Sequence, residues 1–314
     1  MSLYRNALPQ LTDQVFVTDG GLETCMVFLE GIELPQFAAY DLLRTPEGEQ
    51  TLLRFYRPYL DIAREHGVGL LLETPTWRAN RDWGKKLGDT PAVLQDLNLR
   101  AVSLMERLRE ESAKDVPVVI SGQLGPRGDG YQPDIAMSAE EAADYHAEQI
   151  NLFAGTIVDM VSALTINYVD EAIGVTRAAK AAGMPVCISL TVETDGRLPT
   201  GESLEHAIDQ VDAATNDGPA YYQINCAHLT HFDSELQGGG RWLGRIRGVR
   251  GNASRMSHEE LDNSETLDDG NPEEFGAQAA GLRAQLPNLT VLGCCCGTDQ
   301  RHITEIWRHL ELLR

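Results

Sequence analysis

Short apolar runs alternate with longer amphipathic segments along most of the chain. Residues 70–72 are an uninterrupted Leu-Leu-Leu run, which is typical of a strand that is buried on both faces. Residues 47–66 instead place Leu53, Tyr56 and Leu60 three and four positions apart, which is the spacing of one helix face. These two neighbouring segments therefore predict an amphipathic helix followed by a buried strand.

The same two patterns recur in turn to the end of the chain. Residues 233–243 contain three consecutive glycines and are expected to form a short or poor helix, whereas the polar residues 258–271 are expected to form a long exposed loop. We predict strands over residues 15–18, 69–76, 116–125, 156–165, 185–192, 220–226, 246–249 and 289–293. We predict helices over residues 47–66, 91–112, 138–155, 169–182, 203–214, 272–286 and 299–313.

Eight strand–helix units without a composition break favour an α/β fold, a (β/α)₈ TIM barrel that covers residues 1–314 as a single domain. Strands that alternate with helices of this length imply parallel crossover connections. A doubly wound open sheet is the alternative. Its dinucleotide-binding version is disfavoured, because no Gly-x-Gly-x-x-Gly loop follows the first predicted strand.

Charge and composition narrow the class of function. The net charge of −21 argues against a nucleic-acid partner and against an anionic membrane surface. No run approaches the roughly 18 apolar residues that span a bilayer, and residues 1–14 lack the apolar core of a signal peptide. We therefore expect a cytoplasmic protein with small-molecule partners. The sequence leaves its oligomeric state open, including a homo-oligomer.

Cysteines stand at the ends of two predicted strands. Cys226 ends the sixth strand, and Cys294, Cys295 and Cys296 end the eighth. In a barrel, both ends open into the same mouth, where the chemistry of this fold is placed. Without secretion, clustered thiols indicate a metal or reactive thiols more than a disulfide framework. Cys226 and two of the three clustered cysteines would form a zinc site, and these residues alone do not decide which two.

With three cysteine ligands, one of the four coordination positions of the zinc ion would stay open. Three thiolates and a vacancy suit a substrate that arrives as a thiol, because the metal would hold it as the nucleophilic thiolate. Zinc performs no redox chemistry, so a displacement by sulfur is the expected step.

Other strand-end residues are weaker candidates. Asp19 precedes two glycines and is either a pocket carboxylate or a turn former, and Glu73 is either a pocket residue or a solvated rim group. We interpret Cys25 and Cys187 as structural. The histidines close to the cysteines in sequence could be ligands, although loop or surface positions are more common for them; they are His228, His231 and His302.

Four segments resemble a known family, in order and over nearly the whole chain. They are Asp19-Gly20-Gly21-Leu22-Glu23-Thr24, Ser121-Gly122-Gln123-Leu124-Gly125-Pro126, Ile224-Asn225-Cys226, and Gly293-Cys294-Cys295-Cys296-Gly297-Thr298 with His302-Ile303. Together they resemble the homocysteine S-methyltransferase family. The resemblance implies a TIM barrel in which three cysteines hold Zn²⁺. It also implies that homocysteine sulfur takes a methyl group from a sulfonium, betaine or folate donor.

The resemblance also selects the ligand set. Aligned on Gly297-Thr298, the family's two cysteines fall on Cys295 and Cys296, so the implied zinc ligands are Cys226, Cys295 and Cys296, with Cys294 a bystander. We expect substrate contacts from Asp19, Gly20, Gly21, Thr74 and Asn225, and catalytic carboxylates in Asp19 and Glu73. No cobalamin or folate domain is fused to the chain, which favours a free sulfonium or betaine-type donor.

One departure affects the substrate. The family's fourth strand ends in Glu-Thr, and its glutamate helps to hold the amino-acid part of homocysteine; here Leu164-Thr165 stands in that place. Asp19 or Glu73 would then bind the ammonium group, or the acceptor is a different thiol or selenol. Two further alternatives are a non-catalytic zinc- or thiol-binding protein and a redox protein, the latter requiring a disulfide between Cys226 and Cys295.

Overall fold

Strands β1 to β8 of the computed structural model are all parallel and close into one barrel in chain order. The structure describes residues 1–112, 115–133, 136–286 and 288–312. Each predicted strand is confirmed, so the TIM barrel is correct and the open sheet is excluded. The strands are β1 (Phe16–Val17), β2 (Gly69–Glu73), β3 (Val118–Leu124), β4 (Met160–Ile166), β5 (Val186–Leu190), β6 (Tyr221–Asn225), β7 (Ile246–Gly251) and β8 (Val291–Cys294).

Helices surround the barrel, and their ends carry the signals that the sequence shows. Ser138 and Glu141 form the expected capping box, Pro272 occupies the first turn of its helix, and Gly183 adopts a φ of +66° just after its helix. The helices are α1 (Leu22–Thr24), α2 (Pro46–His66), α3 (Arg81–Lys86), α4 (Pro91–Glu111), α5 (Ala139–Ala154), α6 (Val169–Ala181), α7 (Leu204–Thr215), α8 (His258–Asp262), α9 (Pro272–Gln285) and α10 (Gln300–Leu312).

Two connecting segments differ from the expectations. The expected helix over 233–243 is replaced by the 3₁₀ helices Glu235–Gly238 and Arg241–Arg245, because the glycines between them adopt positive φ. The predicted loop over 258–271 begins with α8, which is stabilised by a capping box of Ser257 and Glu260. Helix α8 matters for function, since it returns the chain to the mouth of the barrel.

The lower half of the barrel is a packed apolar core. Strands β1 to β6 and β8 each contribute one buried side chain to its centre, and Cys187 is among them, as its structural interpretation requires. The open half lies at the carboxyl ends of the strands. Among the described residues we find no helix with the length and apolarity that crossing a membrane requires.

Candidate metal and substrate site

A cavity of about 390 Å³ opens at the carboxyl ends of the strands. Its position follows from the fold, since the strand ends and the loops after them form its floor and walls. Most of the site residues predicted from the sequence line it: Asp19, Gly20, Gly21, Asn225, Cys226, Cys295 and Cys296.

Three sulfurs converge on this cavity. The sulfur atoms of Cys226, Cys295 and Cys296 lie within 4.8 Å of one another. A tetrahedral zinc ion with Zn–S bonds of about 2.3 Å needs sulfurs about 3.8 Å apart, so the three residues are close enough to hold the ion when all three are thiolates. Cys226 and Cys295 are joined by a disulfide with Cα atoms 5.4 Å apart. This is the pairing that the redox alternative requires, and only the reduced pair offers metal-binding thiolates.

Cys226 owes its direction to an unusual backbone conformation. It follows β6 with a φ of +54°, in the left-handed region that non-glycine residues rarely adopt. Its carbonyl oxygen accepts a hydrogen bond from Asn252 Nδ2 at 3.0 Å and lies 2.6 Å from His258 Nε2. Its own N–H donates to the carbonyl of Arg250. Contacts from β7, the loop after it and α8 therefore hold the sulfur towards the cavity.

The side chain of Asn225 is engaged within the protein. Its Oδ1 accepts from Thr165 N at 3.0 Å and from Ser189 Oγ at 2.6 Å, and its Nδ2 donates to Thr165 Oγ1 at 3.0 Å. Thr165 also has a positive φ, of +61°. Asn225 thus couples the end of β4 to the end of β6, next to Cys226. Its predicted substrate contact stays a prediction.

Cys295 and Cys296 lie in a tight turn after β8. Gly297 adopts a φ of +78°, and its N–H donates to Thr24 Oγ1 at 3.1 Å. A Cβ added to Gly21 would lie 2.5 Å from the carbonyl oxygen of Cys295, so the loop after β1 packs directly on the turn. Cys294, by contrast, is fully buried in the hydrophobic core and is not part of the sulfur group.

Asp19 is already paired with a cation. Arg250, near the end of β7, donates from Nη2 to Asp19 Oδ1 and from Nε to the carbonyl of Cys294, and both charged side chains are buried. Burial raises the pKa of Asp19, and the charge of Arg250 acts in the opposite direction. Arg250 lies next to the carboxyl end of β7, where functional side chains of a barrel are expected, but it is not among the predicted site residues.

Glu73 and Thr74 are not among the residues that line the cavity. Thr74 Oγ1 lies 2.6 Å from Thr76 Oγ1 and accepts from Gln123 N, within the wall of the barrel. Glu73 is 1% exposed, and its carboxylate lies beside the hydroxyls of Ser121 and Ser162. Burial raises its pKa to about 7. The two predicted residues therefore lie behind the cavity surface.

Several lining residues have no counterpart among the predicted site residues. Tyr131 places its hydroxyl 3.9 Å from Cys296 Sγ and stacks on His258 with ring centroids 4.0 Å apart. Glu23 also lines the cavity, and burial raises its pKa to about 7. Arg78 also lines the cavity. These side chains come from loops and from helices of three to five residues, which are too short to show a periodic pattern.

The histidines that are near the cysteines in sequence contact hydroxyl and carbonyl groups outside the sulfur group. His228 Nδ1 lies 2.8 Å from Thr230 Oγ1, and His231 and His302 face backbone carbonyls of Arg255 and Asp269. None of the three belongs to the sulfur group.

Burial raises the pKa of the Cys296 thiol to about 11, so its ionisation at neutral pH needs a cation beside it.

Comparisons with known proteins identify the family and support the fold. The sequence model of the homocysteine S-methyltransferase family matches residues 16–310. The fold resembles solved structures of the homocysteine methyltransferase MmuM from Escherichia coli. Its metallated form has a TM-score of 0.70 and 18% identity, covering 98% of this chain and 99% of that chain. Its oxidized form has a TM-score of 0.71 and 19% identity, covering 96% and 98%. No curated protein matched in sequence.

Proposed function

Since the chain belongs to the homocysteine S-methyltransferase family and is a methyltransferase, we propose that it is a zinc-dependent enzyme acting on a small thiol. Homocysteine is the first candidate acceptor, which would give methionine. A sulfonium such as S-methylmethionine or S-adenosylmethionine, or a betaine, is the candidate methyl donor.

The convergence of three sulfurs on one cavity supports this proposal most strongly. Cys226, Cys295 and Cys296 are the residues that would hold Zn²⁺ once the disulfide between Cys226 and Cys295 is reduced, and their sulfurs lie within 4.8 Å of one another. When bound, zinc lowers the pKa of a thiol and keeps it as the thiolate at neutral pH. A thiolate is the form that attacks a methyl group, so this cavity is suited to S-methylation.

The residues around the sulfurs have supporting roles. Asn252 and His258 fix the backbone of Cys226, and the turn at Gly297 fixes Cys295 and Cys296. Tyr131 closes the wall beside Cys296. In the reaction, the acceptor sulfur forms a bond to the methyl carbon while the bond from that carbon to the donor breaks. The donor leaves as a neutral sulfide or amine, taking the bonding electron pair.

A different thiol or selenol acceptor is the second candidate. Leu164 gives the cavity an apolar side chain at the end of β4, and Arg250 already pairs with Asp19. A leucine cannot bind an ammonium group, and a paired carboxylate binds one less strongly. These two observations favour an acceptor whose recognition does not depend on its ammonium group.

Methyl transfer by reduced, zinc-loaded protein tests the proposal. Homocysteine and a panel of other small thiols would each be incubated with S-methylmethionine, S-adenosylmethionine or glycine betaine, and methylated products measured by mass spectrometry. We expect turnover with at least one pair and its loss in Cys226→Ser. Zinc binding without turnover for any pair would instead identify a non-catalytic zinc-binding protein.

A further inference from the structure

We propose that Arg78 is the anchor for a carboxylate group on one of the two substrates, and so determines which small molecules the cavity accepts. This inference rests on the proposed function, because it concerns the same cavity. It adds to that function the residue that would recognise a carboxylate on one of the two substrates.

Aromatic side chains fix the guanidinium of Arg78. Its Cζ lies 4.4 Å from the ring centroid of Trp77 and 3.4 Å from that of Trp83. Contacts of this kind attract a cation to the ring face. They also restrict a side chain that would otherwise lose much rotamer freedom on binding a ligand. Arg78 is therefore held in place before a substrate enters.

No anion of the described chain neutralises this cation by direct contact. The Nε and Nη1 atoms of Arg78 are buried and lack hydrogen-bond partners among the described residues. The carboxylates of Asp129, Glu23 and Asp262 act on its charge through space, Asp129 most strongly. A guanidinium stays charged in proteins, and leaving it buried and unpaired is costly. The third nitrogen, Nη2, is not among these enclosed atoms, and an incoming carboxylate would supply its partner.

The other arginine of the cavity does not share this property. Of the described arginines that line the cavity, Arg250 is bonded to Asp19 and to the carbonyl of Cys294, whereas Arg78 has no such bond. An arriving anion thus finds one guanidinium already occupied and one available. A hydrogen bond between a guanidinium nitrogen and a carboxylate oxygen is about twice as strong as a neutral one, so Nη2 of Arg78 is suited to this role.

The apolar walls beside Arg78 would strengthen an ion pair between its guanidinium and a substrate carboxylate. Trp77 forms part of the lining and donates from Nε1 to the carbonyl of Leu164 at 3.3 Å, which places Leu164 at the same side of the cavity. Phe28 and Phe37 also contribute to the lining. Apolar walls lower the local dielectric constant, so an ion pair gains more there than in water. The carboxylate can belong to the thiol acceptor or to the methyl donor.

Matched substrates with and without the carboxylate separate these two sources. Homocysteine would be compared with 3-aminopropane-1-thiol as acceptor. S-methylmethionine would be compared with (3-aminopropyl)dimethylsulfonium as donor. Each pair would be measured with wild type and with Arg78→Met, which keeps an unbranched side chain of similar length. We expect Arg78→Met to lower kcat/KM about 30- to 100-fold for the substrate whose carboxylate Arg78 binds, mainly through KM.

For the analogue that lacks this carboxylate, the same substitution should change kcat/KM less than about threefold. Arg78→Lys should recover part of the loss, because it restores the charge without the planar fork. Arg81→Met is the matched control, since Arg81 is exposed and does not line the cavity. Equal losses for substrates with and without the carboxylate, or no loss at all, would overturn the inference.

Binding measurements keep the inference separate from the function. If the zinc-loaded wild type methylates no thiol, the proposed function fails, and calorimetry with 4-mercaptobutanoate and propane-1-thiol then decides the role of Arg78. We expect wild type to bind the carboxylate-bearing thiol about 30-fold more tightly than Arg78→Met does, and propane-1-thiol to show no such difference. Equal binding of 4-mercaptobutanoate by both proteins, together with equal binding of S-methylmethionine by both, would refute the anchor.

Discussion

Two residues at the mouth of the barrel have left-handed backbone conformations, and one side chain connects them. Thr165 and Cys226 have φ values of +61° and +54°, and Asn225 binds the first while directly preceding the second. Such conformations cost about 1–3 kcal/mol each and persist where surrounding contacts impose them. The direction of the Cys226 sulfur thus depends on a hydrogen-bond network rather than on local preference.

Asn225→Ala tests that dependence. The substitution removes three buried hydrogen bonds and leaves the N–H of Thr165 without its partner. We expect the free energy of unfolding to fall by about 2–4 kcal/mol in urea denaturation. We also expect weaker zinc binding in a competition titration with a chelator. Unchanged zinc affinity would show that Cys226 keeps its direction without Asn225.

Among individual residues, the sequence predicted the cysteines and the carboxylates Asp19 and Glu73 but missed the two arginines of the cavity. Cys226 and the cysteine run are recognisable because strand ends of a barrel share one mouth. The residues alone did not decide which two of the three consecutive cysteines are metal ligands. The family resemblance selected Cys295 and Cys296, and the structure places their sulfurs close to that of Cys226. The importance of Arg78 depends on its contacts with two indoles, which no spacing in the sequence indicates.

The loop after β1 and the turn after β8 pack so closely that their backbones leave no room for a side chain between them. Gly21 has a φ of −77°, which any residue can adopt, so its lack of a side chain matters for space alone. A Cβ there would approach the carbonyl oxygen of Cys295 to 2.5 Å. The position of two sulfurs therefore depends on a neighbouring loop that contributes no ligand.

Gly21→Ala should displace the cysteine turn. We expect a loss of about 2–4 kcal/mol in the free energy of unfolding and a lower zinc content after purification, because backbone atoms cannot yield as a side chain can. Gly281→Ala is the control, since a Cβ at Gly281 in α9 meets no atom within 4 Å. That variant should be as stable as wild type or slightly more stable. Equal behaviour of the two variants would contradict the packing argument.

Long elements were predictable and short ones were not. Helices such as α2 extend over several turns, so their periodicity is visible in the sequence. Helix α8 has five residues, too few for a periodic pattern, although Ser257 and Glu260 provide a capping box. The same limit applies to α3, which is capped by Asn80. These short helices position His258 and Trp83, so the missed elements are those that complete the cavity.

The closed barrel encloses an acidic group in its interior. Glu73 ends β2 and is buried, with Ser121 and Ser162 nearby and the charge of Arg250 acting on it. Its pKa rises from 4.5 to about 7 in the folded protein, chiefly through burial. Between these two values the folded chain binds more protons than the unfolded chain. Glu73 therefore makes the free energy of unfolding decrease as pH rises from about 4.5 to about 7.

Glu73→Gln removes that dependence. At pH 8 the variant should be more stable than wild type by up to about 3 kcal/mol, and near pH 4.5 the two should be alike. Urea denaturation at a series of pH values measures the difference. Glu65→Gln makes the same charge change at an exposed position and should show no such pH dependence. A constant difference between Glu73→Gln and wild type would rule out this titration.

The overall architecture followed from counting strand–helix units, since eight parallel units have one closed arrangement. The shape and charge of the cavity did not follow, because they depend on loops that meet only in the folded chain. Leu164 was visible as a departure from the family, yet the pairing of Asp19 with Arg250 in the same cavity was not.

The zinc content of reduced, purified protein tests the central claim most directly. We expect about one zinc per chain in wild type, measured by mass spectrometry of the metal, and its loss in Cys226→Ser, Cys295→Ser and Cys296→Ser. Cys294→Ala, the neighbouring control whose side chain lies in the core, should retain the metal. Wild type without zinc, or Cys226→Ser with a full equivalent of zinc, would contradict the three-cysteine centre.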